Sequence, residues 1–250
     1  MYNTRAPGVF ELSENRNGLI VSFNWCKNKI FPHGDTMNQD AEEYVLKKCQ
    51  YVKSGTTCIL ILNVTYWPEK IMQIKHFSNA RTCDITLRKS MMLGFMQFAR
   101  TTNSGFKYLH LKNGHDKDDQ VVLCSEFFKS NILKKLKKLY IFPKLQMDRD
   151  YFLSHSLEEL TVYNWVETDL IQDLVLKHIN TNCFKNFCLV IWLPMEETRL
   201  YDLNEVFPVD RFPQREIRES AGFDFKNVNI GSKVRGQLYN RRKNFCIRFD

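Results

Sequence analysis

The stretch from residue 106 to residue 111, Phe-Lys-Tyr-Leu-His-Leu, has apolar residues at its first, fourth and sixth positions. Alternate residues of a strand lie on one face of a sheet. We therefore expect Leu109 and Leu111 to face a core, and Phe106 to fill the turn before the strand. The other copies of this spacing are Leu136-x-x-Leu139-x-Ile141, Leu157-x-x-Leu160-x-Val162, Phe184-x-x-Phe187-x-Leu189 and the looser Ala80-x-x-Cys83-x-Ile85 and Leu60-x-Leu62.

The copies recur at an irregular period. The first residues of the final apolar pairs are Leu60, Cys83, Leu109, Leu139, Leu160 and Phe187, with intervals of 23, 26, 30, 21 and 27 residues. Leucine-rich repeats have a period of about 20–29 residues, and their units stack because one unit cannot bury its apolar side alone. The sequence predicts an α/β fold, an irregular leucine-rich-repeat-like stack of short parallel strands and helices. A generic α/β domain is the alternative.

Helical patterns lie between the predicted strands. Apolar residues at helical spacing predict helices within residues 68–77, 88–100, 118–135 and 167–179. Alternation of strands with helices favours a mainly parallel sheet with helices outside it.

The two ends of the chain depart from the repeat. Residues 18–25 predict a strand and residues 40–52 a helix, whereas alternating apolar residues from about Phe223 onward predict a small antiparallel sheet. The predicted organisation is an N-terminal strand–helix segment (1–55), a leucine-rich-repeat-like region (56–209) and a C-terminal antiparallel hairpin cap (210–250).

The composition favours a folded protein with a basic surface. Hydrophobic residues make up 44% of the chain, and 36 basic against 28 acidic residues give a net charge of +8. That charge is compatible with nucleic acid or another acidic partner. The basic runs are residues 134–138 and 241–243, but Leu136 within the first run and Leu139 after it predict a solvated lysine face around a buried pair. A basic nucleic-acid-binding repeat protein is the alternative function.

The cysteines and the apolar runs indicate the compartment. Most of the eight cysteines lie in apolar runs, as Cys58 and Cys188 do, and none has paired metal-ligand spacing. They predict small buried side chains in a reducing compartment, with a disulfide framework as the alternative. The N-terminus has no signal-peptide core, and no apolar stretch reaches the length of a membrane span. We expect an intracellular protein, cytoplasmic or nuclear, without membrane contact.

Few residues offer chemistry. His110, His115, Asp116 and Asp118 form the one cluster that could bind a metal or relay protons, and solvation of a surface loop is the favoured explanation for it. No HExxH, GxSxG or phosphate-binding glycine motif occurs. The sequence predicts a non-enzymatic protein without catalytic residues, metal or cofactor, and does not indicate a partner-binding surface. Trp165 is predicted to be buried or half-buried, with a place on a binding rim as the alternative.

The order of elements resembles the F-box-associated domain of nematode F-box proteins. The segments that carry the resemblance are 137–142, 156–164, 169–179, 187–192 and 195–204, with a terminal hairpin like residues 223–226 and 244–249. The resemblance covers roughly residues 50–250 and is closest over 133–206. Ile179 replaces the family's tryptophan at the end of the helix, and no F-box is found before the strand at residues 18–25.

The resemblance implies a recognition module. It would hold a protein client for ubiquitin transfer that is performed elsewhere. Contact with a cullin-type ubiquitin ligase is expected only if an F-box is supplied.

Overall fold

A computed structural model gives the fold. It describes residues 8–24, 26–50, 57–114, 119–194, 197–217, 222–227, 231–239 and 243–250. The chain divides into two compact units. The first unit is Met1–Val122 with Lys129–Leu136, and the second is Leu123–Phe128 with Lys137–Asp250.

The first unit contains a mixed sheet of six strands, ordered β3-β2-β1-β4-β5-β6. The strands are β1 (Val9–Asn15), β2 (Gly18–Phe23), β3 (Cys26–Phe31), β4 (Ile59–Asn63), β5 (Thr82–Leu87) and β6 (Tyr108–Asn113). Strands β1, β4, β5 and β6 run parallel, while β2 is antiparallel to both of its neighbours. The helices are α1 (Met37–Cys49), α2 (Glu69–Met72), α3 (Lys75–Ser78) and α4 (Met92–Thr101), with 3₁₀ turns at Lys89–Met91 and Asn131–Lys135.

The second unit contains a mixed sheet of seven strands, ordered β8-β10-β11-β15-β14-β13-β12. Its strands are β8 (Lys138–Ile141), β10 (Glu159–Val162), β11 (Phe187–Trp192), β12 (Glu216–Ile217), β13 (Gly222–Asn227), β14 (Ser232–Tyr239) and β15 (Asn244–Phe249), and the two-residue strands β7 (Val122–Leu123) and β9 (Lys144–Leu145) lie outside it. Strands β8, β10 and β11 run parallel, and every pairing from β11 to β12 is antiparallel. The helices are α5 (Arg149–Phe152), α6 (Thr168–Thr181) and α7 (Leu203–Val206), with a 3₁₀ turn at Ser125–Lys129.

The repeated apolar pairs form the buried faces of both sheets, as predicted. In the first unit Leu60 lies opposite Cys83, which lies opposite Leu109, and all three are fully buried. In the second unit Leu139 lies opposite Leu160. The residues that precede each pair are also buried, namely Ala80, Phe106, Leu136, Leu157 and Phe184.

The last copy of the apolar pattern was placed two residues too early in its strand. Leu160 lies opposite Leu189, not opposite Phe187, the first residue of the predicted pair. Strand β11 is six residues long, so Phe187, Leu189 and Ile191 all reach the buried face. The apolar run therefore predicted the strand but not which pair continues the row.

The α/β class is confirmed, but the strands are not arranged as one parallel stack. The N-terminal segment forms three antiparallel strands, β1, β2 and β3, which make two successive hairpins. Of these strands only β2 was predicted. At the C-terminus, antiparallel pairing begins at β11 and includes four further strands. Each sheet is therefore mixed. The predicted domain boundaries at residues 55 and 209 stay predictions.

The helix predicted over residues 118–135 is wrong. Residues 122–123 form a strand, and two 3₁₀ turns follow it. The backbone of Ser130 is extended, with φ −77° and ψ 151°, which interrupts a helical path. Phe127, Phe128, Ile132 and Leu133 are nevertheless buried, because short 3₁₀ turns direct such apolar pairs into the core equally well.

Two other predicted helices are shorter than expected. The helix over residues 68–77 is split at Ile74, whose backbone is extended. The segment at residues 195–204, which the family resemblance implies is helix-prone, contains helix only from Leu203 onward, and residues 195–196 lie outside the described part of the chain.

Helix α6 covers the buried face of the second sheet. Its apolar stripe includes Leu170, Ile171, Leu174 and Val175. At its C-terminal end Ile179 O accepts a hydrogen bond of 2.8 Å from Ser232 Oγ of β14. This contact fixes the antiparallel strands against the helix.

None of the described helices is long and apolar enough to cross a membrane.

One glycine of β14 makes room for an aromatic ring. A Cβ atom at Gly236 would lie 2.3 Å from Cys246 O and 2.5 Å from the ring of Phe223, the residue opposite it. The ring of Phe223 therefore fills the space above the glycine, a known way to stabilise a strand at a residue without a side chain.

Candidate functional site

The second sheet has an open face, opposite the buried one. Helix α6 packs on the buried face, where the His178 ring lies 5.3 Å from that of Phe249. Apart from Thr161 and Asp224, the open-face side chains are half-buried or exposed, although they alternate with buried residues. The open face consists of Lys138, Tyr140, Phe142, Glu159, Thr161, Tyr163, Cys188, Val190, Trp192, Asp224, Lys233, Arg235, Gln237, Tyr239, Asn244, Cys246 and Arg248.

An aromatic row lies at the carboxyl ends of the three parallel strands. It consists of Phe142, Tyr163 and Trp192. The Phe142 and Tyr163 rings stack with centroids 3.9 Å apart at 14°, and the Tyr163 and Trp192 rings with centroids 5.8 Å apart at 8°. Parallel strands about 4.8 Å apart place equivalent side chains side by side, which produces this stacking. The rings present one continuous half-exposed apolar surface.

Paired charges lie at the start of the strands that end in the aromatic row. Lys138 Nζ lies 2.8 Å from Glu159 Oε2 on the neighbouring strand. Burial, with a hydrogen bond to Glu159, raises the pKa of Tyr140 to about 12, so its hydroxyl is neutral. This part of the open face is polar but carries little net charge.

A shallow cavity of about 360 Å³ lies on the antiparallel part of the face. Its cations are Lys233, Arg235 and Arg248, and its carboxylate is Asp224, which lies 3.9 Å from Lys233 Nζ. Arg235 Nε also donates to Asp250 Oδ2 at 2.9 Å. The cavity is thus lined by more cationic than anionic groups, and it is suited to an anionic group of a partner.

Two cysteines meet beside this cavity. Cys188 Sγ and Cys246 Sγ are 3.8 Å apart on the neighbouring strands β11 and β15. The hydrogen bond between them lowers the pKa of the Cys246 thiol, and the guanidinium of Arg248 lowers it further. The same hydrogen bond, with burial, raises the pKa of Cys188. The ionisation of one thiol therefore depends on the other.

Trp165, which was predicted to be buried or half-buried, is half-buried in a stack of its own. Its ring lies 4.4 Å from that of Tyr201 at 11°, and the guanidinium of Arg199 lies 4.4 Å above it. Glu197 pairs with Arg199, and that hydrogen bond lowers the pKa of Glu197 to about 2. Tyr201 Oη donates to Val166 O at 2.8 Å. The stack fixes the chain after β10, and covers Trp165 on both sides.

The candidate metal or proton-relay cluster is largely outside the described residues. His110 lies in β6 of the first unit, opposite Asp84, whereas His115, Asp116 and Asp118 are not described. Within the described ranges, no three histidine, cysteine or acidic side chains are grouped so as to hold a metal ion.

The first basic run is largely paired. Lys137 pairs with Glu158, and Lys135 Nζ donates to Asn103 Oδ1 at 2.8 Å. Leu136 and Leu139 are buried, as predicted. In the second run Lys243 Nζ donates to Glu197 O at 2.6 Å, while Arg241 and Arg242 lie outside the described residues.

Sequence reasoning missed the aromatic row, although a signal was present. Each aromatic residue directly follows a buried apolar residue of its strand: Ile141, Val162 and Ile191 respectively. An aromatic residue at the same offset in three successive strands indicates an aromatic row on the opposite face of the sheet.

Comparison with protein-family models, with curated proteins and with solved structures finds no match for this chain. The function of the chain is therefore inferred from the residues of the open face. The expectations from the F-box-associated resemblance stay predictions.

Proposed function

We propose that this chain is a non-enzymatic protein-recognition module whose open face binds a protein partner. The observation that carries the proposal is the aromatic row Phe142–Tyr163–Trp192, which is half-exposed on a face that no described helix of the second unit covers. Burial of such rings against a partner removes a large apolar area from water, at a small entropic cost because the rings are already stacked.

The surroundings of the row favour a protein over a small molecule. The cavity beside it is shallow, whereas small-molecule sites enclose most of the ligand surface. Binding hot spots between proteins are rich in tryptophan, tyrosine and arginine within a polar surround. The open face has this composition, because Lys138, Glu159, Arg248 and Arg235 lie in one line across the sheet, on the same side of the aromatic row.

The proposal also includes a repeat-like arrangement of the strands. Within each unit, the in-register parallel strands are interpreted as irregular leucine-rich-repeat-like units, with antiparallel strands at their ends as caps. The resemblance to F-box-associated domains suggests that the partner is a client for ubiquitin transfer. Such transfer requires an F-box and a cullin-type ligase from elsewhere.

Nucleic-acid binding is the less supported alternative. Phosphate contacts require cations that are available to the ligand, yet Lys137 and Lys138 are paired with Glu158 and Glu159. Retention on heparin that falls steeply as salt rises would favour this alternative.

The test uses a photo-crosslinking amino acid at Tyr239, on the open face beside the row, with the full chain in cell extract. The captured protein is identified and purified, and its affinity is then measured by titration. We expect Tyr163→Ala and Trp192→Ala each to weaken binding at least tenfold, because each removes part of the stacked surface.

The matched controls are Thr86→Ala and Lys112→Ala, at the equivalent positions of the first unit. They are expected to leave the affinity unchanged. A purified partner that binds the wild type and the Tyr163 and Trp192 variants equally would contradict the proposal. So would an equal loss of affinity in the controls.

A further inference from the structure

We propose that Cys188 and Cys246 are a redox-active dithiol, which a small anionic disulfide such as oxidised glutathione converts into an intramolecular disulfide. This modification site goes beyond the proposed recognition function and does not depend on it.

The strand register brings the two thiols together. Strands β11 and β15 are antiparallel, with Cys188 opposite Arg248 and Val190 opposite Cys246. The cysteines are therefore diagonal neighbours on the open face, where side chains of neighbouring strands are within reach of each other. Their sulfur atoms are 3.8 Å apart, whereas a disulfide needs about 2.05 Å. Rotation of the side chains, with a small adjustment of the strands, closes that gap.

The charges around the pair favour Cys246 as the attacking thiol. Arg248 stabilises its thiolate, and Cys188 donates a hydrogen bond to it. Glu159, on the neighbouring strand β10, opposes ionisation of both thiols; its effect is weaker than that of Arg248 at Cys246 and stronger than that of Arg248 at Cys188. The thiolate is the form that attacks a disulfide, so a lowered pKa makes Cys246 reactive near neutral pH.

The adjoining cavity suits an anionic oxidant. Cys246 lines the cavity of about 360 Å³ together with Lys233, Arg235, Arg248 and Gln237. Lys233 lies near Asp224 and Arg235 pairs with Asp250, so Arg248 is the cation that can receive a carboxylate of glutathione beside the attacking sulfur. Both cysteines are half-buried, so a small disulfide can reach them without unfolding of the sheet.

The chemistry proceeds in two exchanges. The Cys246 thiolate attacks one sulfur of the oxidised glutathione, forms a mixed disulfide and releases one glutathione thiolate. Cys188 then loses its proton to the released thiolate or to water and attacks Cys246 Sγ, which releases the second glutathione. Two protein thiols and one glutathione disulfide thus give one protein disulfide and two glutathione thiols.

The test incubates the reduced full chain in buffers of defined glutathione redox ratio. Free thiols are then blocked by alkylation in acid, and the peptides are mapped by mass spectrometry. We expect a Cys188–Cys246 linked peptide in the native chain, which dithiothreitol reverses. Cys183, an exposed cysteine, is the internal control and should give at most a mixed disulfide with glutathione.

Three variants assign the roles, with circular dichroism as the check that each is folded. Cys188→Ser should accumulate the mixed disulfide at Cys246, since no resolving thiol remains. Cys246→Ser should leave Cys188 largely unreacted. Arg248→Gln should slow the reaction of Cys246 at neutral pH by about threefold to tenfold and move its pH profile upward, because less thiolate is present.

The outcomes that would overturn the proposal are also specific. A native chain that keeps both thiols free in fully oxidising buffer, while Cys183 reacts, would show that the pair is inert. A linked peptide that forms only in denaturant would show that the folded strands hold the sulfurs apart. Equal reaction rates in wild type and Arg248→Gln would remove the assigned role of the guanidinium.

Discussion

The two units use the same strand pattern for one face and different residues for the other. Both units have a buried row of apolar side chains, which consists of Leu60, Cys83 and Leu109 in the first unit and of Leu139, Leu160 and Leu189 in the second. On the opposite face, the residues directly after the buried pairs are Asn63, Thr86 and Lys112 in the first unit and Phe142, Tyr163 and Trp192 in the second.

At the row that corresponds to the aromatic row, the open face of the first unit is polar and consists of Asn63, Thr86 and Lys112. Lys112 Nζ pairs with Asp84 Oδ2 at 2.6 Å. Thr86, on the strand between those of Asn63 and Lys112, lies opposite Lys112. Burial of one face determines whether a strand folds into the sheet, so the other face is available for function. The difference between the units therefore indicates where binding is concentrated.

The largest expected effects come from the buried rows, and they should be equal in the two units. Leu109→Ala and Leu160→Ala each remove a fully buried side chain, and each should lower the free energy of unfolding by about 3 kcal/mol. Hydrogen exchange in urea would report each unit separately. Thr86→Ala, on the open face, should cost much less. A cost of Thr86→Ala equal to that of the buried leucines would break the distinction between faces.

The second unit should also be more sensitive to acid. His155 is buried among Tyr151, Phe152, Phe184 and Phe187, and burial lowers its pKa from 6.5 to about 4. Between these values the unfolded chain binds a proton that the folded chain does not. Stability present above pH 6.5 is therefore lost as the pH falls toward 4, by about 3 kcal/mol.

Chemical denaturation at several pH values measures this loss. His155→Asn, which keeps an acceptor near the backbone N–H of Leu157, should flatten the dependence. A smaller dependence should remain, because burial also lowers the pKa of His178. None of the first unit's described histidines, His33, His76 and His110, is buried. An equal acid sensitivity of both units would contradict this assignment.

Exchange of open-face residues between the units is a direct test of the comparison. Tyr163→Thr places the first unit's residue in the middle of the aromatic row. We expect at least a tenfold loss of affinity for the purified partner, equivalent to about 1.4 kcal/mol, with little change in stability. Thr86→Tyr in the first unit should not strengthen binding, since the neighbouring positions there have no aromatic residue.

The smallest effects should come from the ion pairs on the two open faces. Lys112→Met and Lys138→Met each break a pair between neighbouring strands in which both side chains are partly exposed. Each should lower stability by less than about 1 kcal/mol, and less still at high salt. Urea unfolding at low and high salt would measure both. A loss of several kcal/mol at Lys138 alone would mean that its pair is part of the core.

Much of each buried face could be predicted, because burial depends on the spacing of apolar residues along one strand. The apolar pairs at Leu139 and Leu160 lie in strands and are buried where the spacing requires. The structure of the segment that was predicted as a helix over residues 118–135 could not be predicted in this way. The extended backbone at Ser130 depends on how two short apolar segments both reach the core, not on helical spacing within either.

The sequence by itself determined which residues are buried, since the period of apolar residues is a local property that any packing must satisfy. It also contained the aromatic offset of Phe142, Tyr163 and Trp192. Only the tertiary structure decided which strands are neighbours. That pairing stacks the three rings, brings Cys188 to Cys246 across 58 residues of chain, and places Arg248 beside them. Such contacts arise from strand order and register, which depend on the free energy of the whole core and are not encoded within any one segment.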